Sequence, residues 1–278
     1  MIRARGSRRR RYGRLAVIAT VLLAAGCVLP SIVGHAEDAR DTYVFAEEFD
    51  GPAGPLPDGG PWRFAIGGSG WGNQEMQEYT DDPANVGLDG DGHLAITARR
   101  DADGVITSAR LFTQDSFEFT HGRAEARIAL PTGTGLHPAF WLLGANLDEV
   151  GWPAAGEIDV IETLNAATEY HTGVHAPQTG SERGQQISGS GPVPFPLAGE
   201  FRTYWVERTP GRIVTGVDDV TLVTITEYNL EPGASWVFDE PFFLLLNLAV
   251  GGEWPGQPDD TTPFPVTMLV DWVRVRNI

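Results

Sequence analysis

The chain of 278 residues carries a single cysteine, Cys27, inside an apolar N-terminal stretch. With no second thiol there is no internal disulfide, so stability has to come from a buried core, which a chain of this length can supply. Basic residues are scarce beyond residue 36: 13 lie there against 37 acidic ones, a formal charge of −24. Such a surface repels nucleic acid, whereas a neutral polymer such as an uncharged polysaccharide approaches it without repulsion. Also missing beyond residue 36 are an internal repeat, a low-complexity linker and an apolar run long enough to span a membrane. No window of twelve or more residues there has a good 3.6-residue apolar period. Residues 37–278 therefore read as one domain built from strands, expected to be monomeric.

Residues 1–36 have a different character. Seven arginines in residues 1–14 precede the mostly apolar Leu15–Val33 and the small-residue site Gly34-His35-Ala36. This order is that of an export signal, with a secreted mature chain from about Glu37. Ser7-Arg8-Arg9-Arg10-Arg11 also suits twin-arginine export, and Ala24-Ala25-Gly26-Cys27 a lipoprotein cleavage box. Val28, Leu29, Ile32 and Val33 prolong the apolar run past the cysteine, which favours secretion over anchoring at Cys27.

Short alternating runs recur at 94–98, 123–130, 212–217, 220–225 and 268–275, each suited to a strand with one buried face. Residues 242–250 are apolar on both faces apart from Asn247, as in a central strand. Gly-rich and Pro-rich turns separate the runs. The fold class is therefore all-β, a β-sandwich jelly roll of two antiparallel sheets with a concave substrate cleft.

One stretch stands apart: Gly156-Glu157-Ile158-Asp159-Val160-Ile161-Glu162 packs three carboxylates among β-branched residues. In a regular strand Glu157 and Asp159 share one face, Ile158 and Val160 enter the core, and Glu162 falls on the wrong side. One extra residue at Val160-Ile161, a β-bulge, returns Glu162 to the face of the other two acids. Three acids on one sheet face repel one another, which a purely solvated strand would rarely retain. A pair of such glutamates suits glycoside hydrolysis, one protonating the leaving oxygen while the other attacks the anomeric carbon. Aromatic rings that could pack on sugar faces lie nearby in sequence: Trp71 in a Gly-rich loop, Trp152 five residues before Glu157, and Trp141, equally suited to core or cleft.

Together with these acids, Gly70-Trp-Gly-Asn73, Thr107-Ser-Ala-Arg-Leu111, Gly122-Arg-Ala-Glu-Ala-Arg-Ile128, Pro138-Ala-Phe-Trp141, Gly151-Trp-Pro-Ala-Ala-Gly156, Val174-His175 and Leu248-Ala-Val-Gly-Gly252 make the chain resemble glycoside hydrolase family 16, laminarinase type. The resemblance spans nearly all of residues 37–278. It implies a retaining endo-β-1,3-glucanase acting on laminarin-like polysaccharide or oligosaccharide, with mixed β-1,3-1,4-glucan as a further substrate. Position by position it makes Glu157 the nucleophile, Glu162 the general acid/base and Asp159 the partner between them. Glu162 must then be protonated while Glu157 attacks, which burial and neighbouring charge would favour. The resemblance also places Trp71, Asn73, Arg110, Trp141, Trp152 and His175 at the substrate; read alone, His175 could equally be a core histidine and Arg110 a surface ion-pair residue. No cofactor is required for the chemistry. A structural calcium ion is implied at Asp271, with backbone carbonyls near Glu48 and Gly92.

The sequence departs from the family's pattern at Arg208, where a tryptophan is usual, and at Thr215 and Gly216, where aromatics are usual. These departures bear on packing and on the glucan preferred. Two other readings remain open: a non-catalytic glucan-binding lectin on the same sandwich, and a family 16 hydrolase acting on another polymer such as a galactan, agarose or xyloglucan.

Overall fold

A computed structural model of the chain describes residues 43–278, so the export segment, Cys27 and the cleavage site lie outside the described residues. The alternating runs form strands close to where they were expected. In chain order these begin with β1 (Tyr43–Glu47), β2 (Arg63–Phe64), β3 (Glu78–Tyr79), β4 (Val86–Leu88), β5 (Leu94–Arg100) and β6 (Ile106–Ser108). Next come β7 (Arg110–Phe112), β8 (Gly122–Ala129), β9 (Leu136–Gly144), β10 (Glu157–Glu162), β11 (Tyr170–Gln178) and β12 (Ser181–Gly191). The last five are β13 (Arg202–Thr209), β14 (Arg212–Val217), β15 (Val220–Thr226), β16 (Phe242–Val250) and β17 (Val266–Arg276). Among the described residues, helix is confined to Leu147–Val150 and a 3-10 turn at Glu227–Asn229.

Two sheets stack to make the sandwich. One runs β15-β14-β13-β8-β17-β5-β6-β3, with β1 beside β17 and β4 beside β5; the other runs β12-β11-β10-β9-β16-β7-β2. The neighbours are antiparallel except β3 and β6, which pair in parallel, a departure from the wholly antiparallel expectation. This pair is two residues long at the sheet margin, where no hairpin dictates strand direction.

Alternation sorts each central strand between core and outer face. In β16, Phe242, Leu244, Leu246, Leu248 and Val250 enter the inter-sheet core, whereas Phe243 and Leu245 belong to a small apolar cluster on the other face with Leu143. Asn247 falls on that second face. The same rule in β9 sends Leu136, Phe140 and Leu142 into the core and leaves His137, Ala139, Trp141 and Leu143 outside.

β10 carries the expected irregularity. Against β9, Asp159 pairs with Trp141 and Ile161 with Phe140, so Val160 is the extra residue; against β11 the register shifts between Asp159 and Glu162. Ile158, Val160 and Ile161 are all fully buried in the core. Each such side chain stabilises the fold by roughly 1.5–3 kcal/mol. A register slip that exposed all three and buried acids in their place would be strongly disfavoured, which pins the strand.

The three departures from the family's pattern turn out to be packing solutions in the sheet remote from the acids. Arg208, fully buried, donates from Nη1 to the Phe119 carbonyl at 2.8 Å and from Nη2 to those of Phe238 at 2.8 Å and Glu240 at 2.7 Å. Its guanidinium also lies 4.4 Å from the Phe242 ring centroid. Burial pulls its pKa down to about 9. Gly216 leaves room for the Trp205 indole, because a Cβ there would meet ring carbon Cζ2 at 2.1 Å. The buried Thr215 hydroxyl is hydrogen-bonded to that of Thr172 at 2.8 Å, which connects the two sheets. Arg208→Leu should therefore strand the Phe238 and Glu240 carbonyls, each unsatisfied group costing about 1–3 kcal/mol, while the Phe119 carbonyl keeps the Phe242 amide as donor. Urea unfolding is expected to show a loss of about 2 kcal/mol or more.

Candidate active site

The bulge gathers the acids. Glu157, Asp159 and Glu162 all line one cleft of about 800 Å³ on the outer face of the second sheet. Their cross-strand partners are His175 opposite Glu157 and His171 opposite Glu162, with Gly173 opposite Asp159. Trp152 donates from Nε1 to Glu157 Oε2 at 2.7 Å and stays half exposed at the cleft mouth. Its ring centroid lies 5.7 Å from that of His175, whose Nε2 is 3.6 Å from Asp159 Oδ2. Glu162 Oε1 is 2.7 Å from Nε2 of His137.

Burial and mutual repulsion govern protonation among these groups. Asp159 is buried, and desolvation together with the charges of Glu162 and Glu157 raises its pKa well above the carboxylate range. Burial also raises Glu157, opposed by the His175 charge and by hydrogen bonds from Trp152 and Asp159. The pair therefore titrates jointly. A proton resident on Asp159 and donated toward Glu157 leaves Glu157 as the carboxylate, the form a nucleophile needs.

A second set of groups forms the adjoining floor. The Arg110 guanidinium sits 4.5 Å from the Trp141 ring centroid and 5.1 Å from that of Trp71. Burial lowers its pKa, opposed by Tyr79, Glu75 and Glu157. Trp141 Nε1 donates to Asn247 Oδ1 at 2.7 Å, and Asn247 Nδ2 donates to the Tyr79 hydroxyl at 3.2 Å. That hydroxyl and Gln77 both donate to Glu75 Oε2. Trp71 anchors its loop by donating to the Gly67 carbonyl and is held in a left-handed conformation, φ 47°. Asn73 also lines the cleft; its side-chain Nδ2 is buried and lacks a hydrogen-bond partner among the described residues.

All nine expected cleft residues thus converge. Trp141 faces the cleft, and Arg110 and His175 lie in its wall. Several cleft residues were not expected there from the sequence: Glu75, Tyr79, His137, Asn247, Arg183, Gln186, Ser188 and Trp254. Two of these carried a legible signal. Asn247 was the polar interruption in an apolar strand, and His137 shares the alternation of Trp141. Trp254 lies in a loop after β16, and no local pattern brings it to the acids. Asp271 is elsewhere, on β17 in the first sheet, with its carboxylate paired to Arg127. Among the described residues, the one group of three side-chain donors close enough to hold a metal is Glu157, Asp159 and His175, within 4.8 Å of one another.

Residues 73–274 match the family described as Glycosyl hydrolases family 16. The chain belongs to that family. This family 16 protein is therefore a glycoside hydrolase with a jelly-roll fold. It is 38% identical to a beta-glucanase of Rhodothermus marinus, over 94% of this chain and 93% of that protein. A glucan endo-1,3-beta-glucosidase of Cryptopygus antarcticus is 35% identical over 83% of this chain and 89% of its own length. The catalytic domain of an endo-1,3-beta-glucanase (laminarinase) from Thermotoga petrophila RKU-1 superposes with a TM-score of 0.75 at 38% identity, covering 84% of this chain and 96% of that one.

The raised pKa of Asp159 has a consequence for stability. A carboxyl whose folded pKa is raised favours the folded state below its unfolded value, about 3.9, and loses that contribution as pH rises toward the folded value. Asp159→Asn cannot ionise, so its melting temperature should exceed that of the parent near neutral pH. The gap is expected to narrow as pH falls toward 4 in thermal unfolding followed against pH.

Proposed function

We propose that this glycoside hydrolase is a secreted, monomeric, retaining endo-β-1,3-glucanase acting on laminarin-like chains, with mixed β-1,3-1,4-glucan as a secondary substrate. The observation that carries the reading is the bulged β10, which presents Glu157 and Glu162 to one cleft with Asp159 between them. Trp71, Trp141 and Trp152 line the same cleft, where their faces can pack on pyranose C–H faces. The named glucanase and laminarinase relatives support the choice of polymer.

In this reading Glu157 attacks the anomeric carbon as the glycosidic bond breaks, and Glu162 gives its proton to the departing oxygen. The product is a glycosyl ester on Glu157. Glu162, now a carboxylate, takes a proton from water as that water attacks the ester, restoring both acids with the original anomeric configuration. Asp159 shares a proton with Glu157 and eases the swings in charge on it. Arg110, Asn73 and His175 supply polar contacts along the sugar chain.

Release of reducing sugar from laminarin tests the reading directly. Glu162→Gln is expected to lower turnover about 10²–10⁴-fold, and Glu157→Gln to abolish it, both with an unchanged circular dichroism spectrum. Full activity of either variant would remove the assignment. Binding of laminarin without release would mean a lectin, and preferential release from agarose a galactan-directed relative. Product lengths on laminarin, curdlan and lichenan report endo action and linkage preference, and the anomer first formed, followed by NMR, reports retention.

A structural calcium at Asp271 belongs to the same proposal, and there the ion would compete with Arg127 for the carboxylate. Chelation should then lower the melting temperature; an unchanged midpoint would remove calcium from the account.

A further inference from the structure

His137 stands on β9, facing the cleft two residues before Ala139, which pairs with Glu162 across the sheet. Its Nε2 is 2.7 Å from Glu162 Oε1, and both side chains are largely buried. The other ring nitrogen, Nδ1, is buried with no hydrogen-bond partner among the described residues. A buried N–H without an acceptor is rarer and costlier than an underused acceptor, so the hydrogen belongs on Nε2, pointing at Glu162. Trp254 holds the imidazole from its edge, with ring centroids 5.2 Å apart and planes at 86°, and makes a similar contact with His171 at 4.8 Å.

We infer that His137 is a positioning residue for the acid/base: its Nε2–H occupies Oε1 of Glu162 and leaves Oε2 as the oxygen that exchanges protons with substrate. This rests on the role proposed for Glu162 above. The proton leaves Oε2 for the glycosidic oxygen in the first step and returns to Oε2 from water in the second. His137 neither gains nor loses a proton; its N–H bond supports the carboxylate that exists between the two steps. A carboxylic acid with a free choice of oxygen would spend part of its time with the acidic proton turned away from the leaving group.

The charged surroundings act on the pair from several elements. Glu157 and Asp159 lie on the same strand as Glu162, His171 and His175 on β11, Glu75 on the Trp71 loop, Arg110 on β7, and Glu169 just before β11. Burial lowers the pKa of His137, but the hydrogen bond with Glu162 and the charges of Glu162, Glu75 and Glu157 raise it. His171 is pushed the other way by burial.

The test compares kcat/KM on laminarin with kcat/KM on a dinitrophenyl β-laminaribioside, whose leaving group departs without protonation. His137→Ala should lose about 10- to 100-fold on laminarin and little on the aryl substrate. Removing a donor to the carboxylate favours its protonated form, so the alkaline limb of the laminarin pH profile should move to higher pH. His137→Gln, which keeps a side-chain N–H donor, should recover most of the loss and return the limb. Equal losses on both substrates, or an unmoved limb with no recovery by glutamine, would show a merely structural histidine and overturn the inference. Should Glu162→Gln prove inactive while His137→Ala matches the parent on laminarin, this inference alone fails. Should Glu162→Gln stay active, the glucanase mechanism itself fails with it.

Discussion

One extra residue in β10 decides what the rest of the protein can do. Val160 has no paired position against β9, and its insertion lets a six-residue strand direct three apolar side chains inward and three carboxylates outward. Without it, period-two alternation would send Glu162 toward Phe140 and the core, where an unpaired carboxylate is costly. The bulge is held from both sides: the inter-sheet core grips Ile158, Val160 and Ile161, and β9 and β11 pair with the flanking residues. The three acids are therefore carried by an interior paired strand rather than by a loop.

Placing three acids against a dry core creates an electrostatic problem, and the site resolves it by sharing protons and donors. Each acid has its own partner: Trp152 donates to Glu157, His137 faces Glu162, and Asp159 is set between Glu157 and His175. Repulsion and burial thus push Asp159 toward its neutral form, while the donors around Glu157 oppose the effect of its burial. The floor repeats this logic with opposite sign, since the half-buried Arg110 lies beside two indoles and is balanced by Glu75 and Glu157. Polar groups with partners among themselves hold fixed positions, which is what recognition of sugar hydroxyls requires.

How far each feature was legible depended on the range of the interaction behind it. β14 and β16 match the expected runs to the residue, and the bulge in β10 follows from six residues, because alternation is a local property. Arg208 looked like a loss of packing in a segment that normally carries a tryptophan. Its three carbonyl partners lie about thirty and ninety residues away in sequence, so no local pattern announces them. Gly216 looked like a missing aromatic; the space it leaves is filled by the Trp205 indole from the neighbouring strand. Arg208 meets its compensation only when segments distant in the chain become neighbours, and Gly216 meets Trp205 only through the cross-strand register of the β13–β14 hairpin.

By itself the sequence determined the all-β architecture, the bulge and the three acids that share one strand face. Each of these rests on side-chain alternation or on the chemistry of adjacent residues. The tertiary structure decided which groups surround those acids: His137 against Glu162, Trp254 closing on His137 and His171, and Arg110 between Trp71 and Trp141. It also decided that burial and the two neighbouring glutamates push Asp159 well above the carboxylate range. Protonation and orientation depend on burial and on charges from β7, β9, β11 and two loops, and those distances exist only after the sheets have paired.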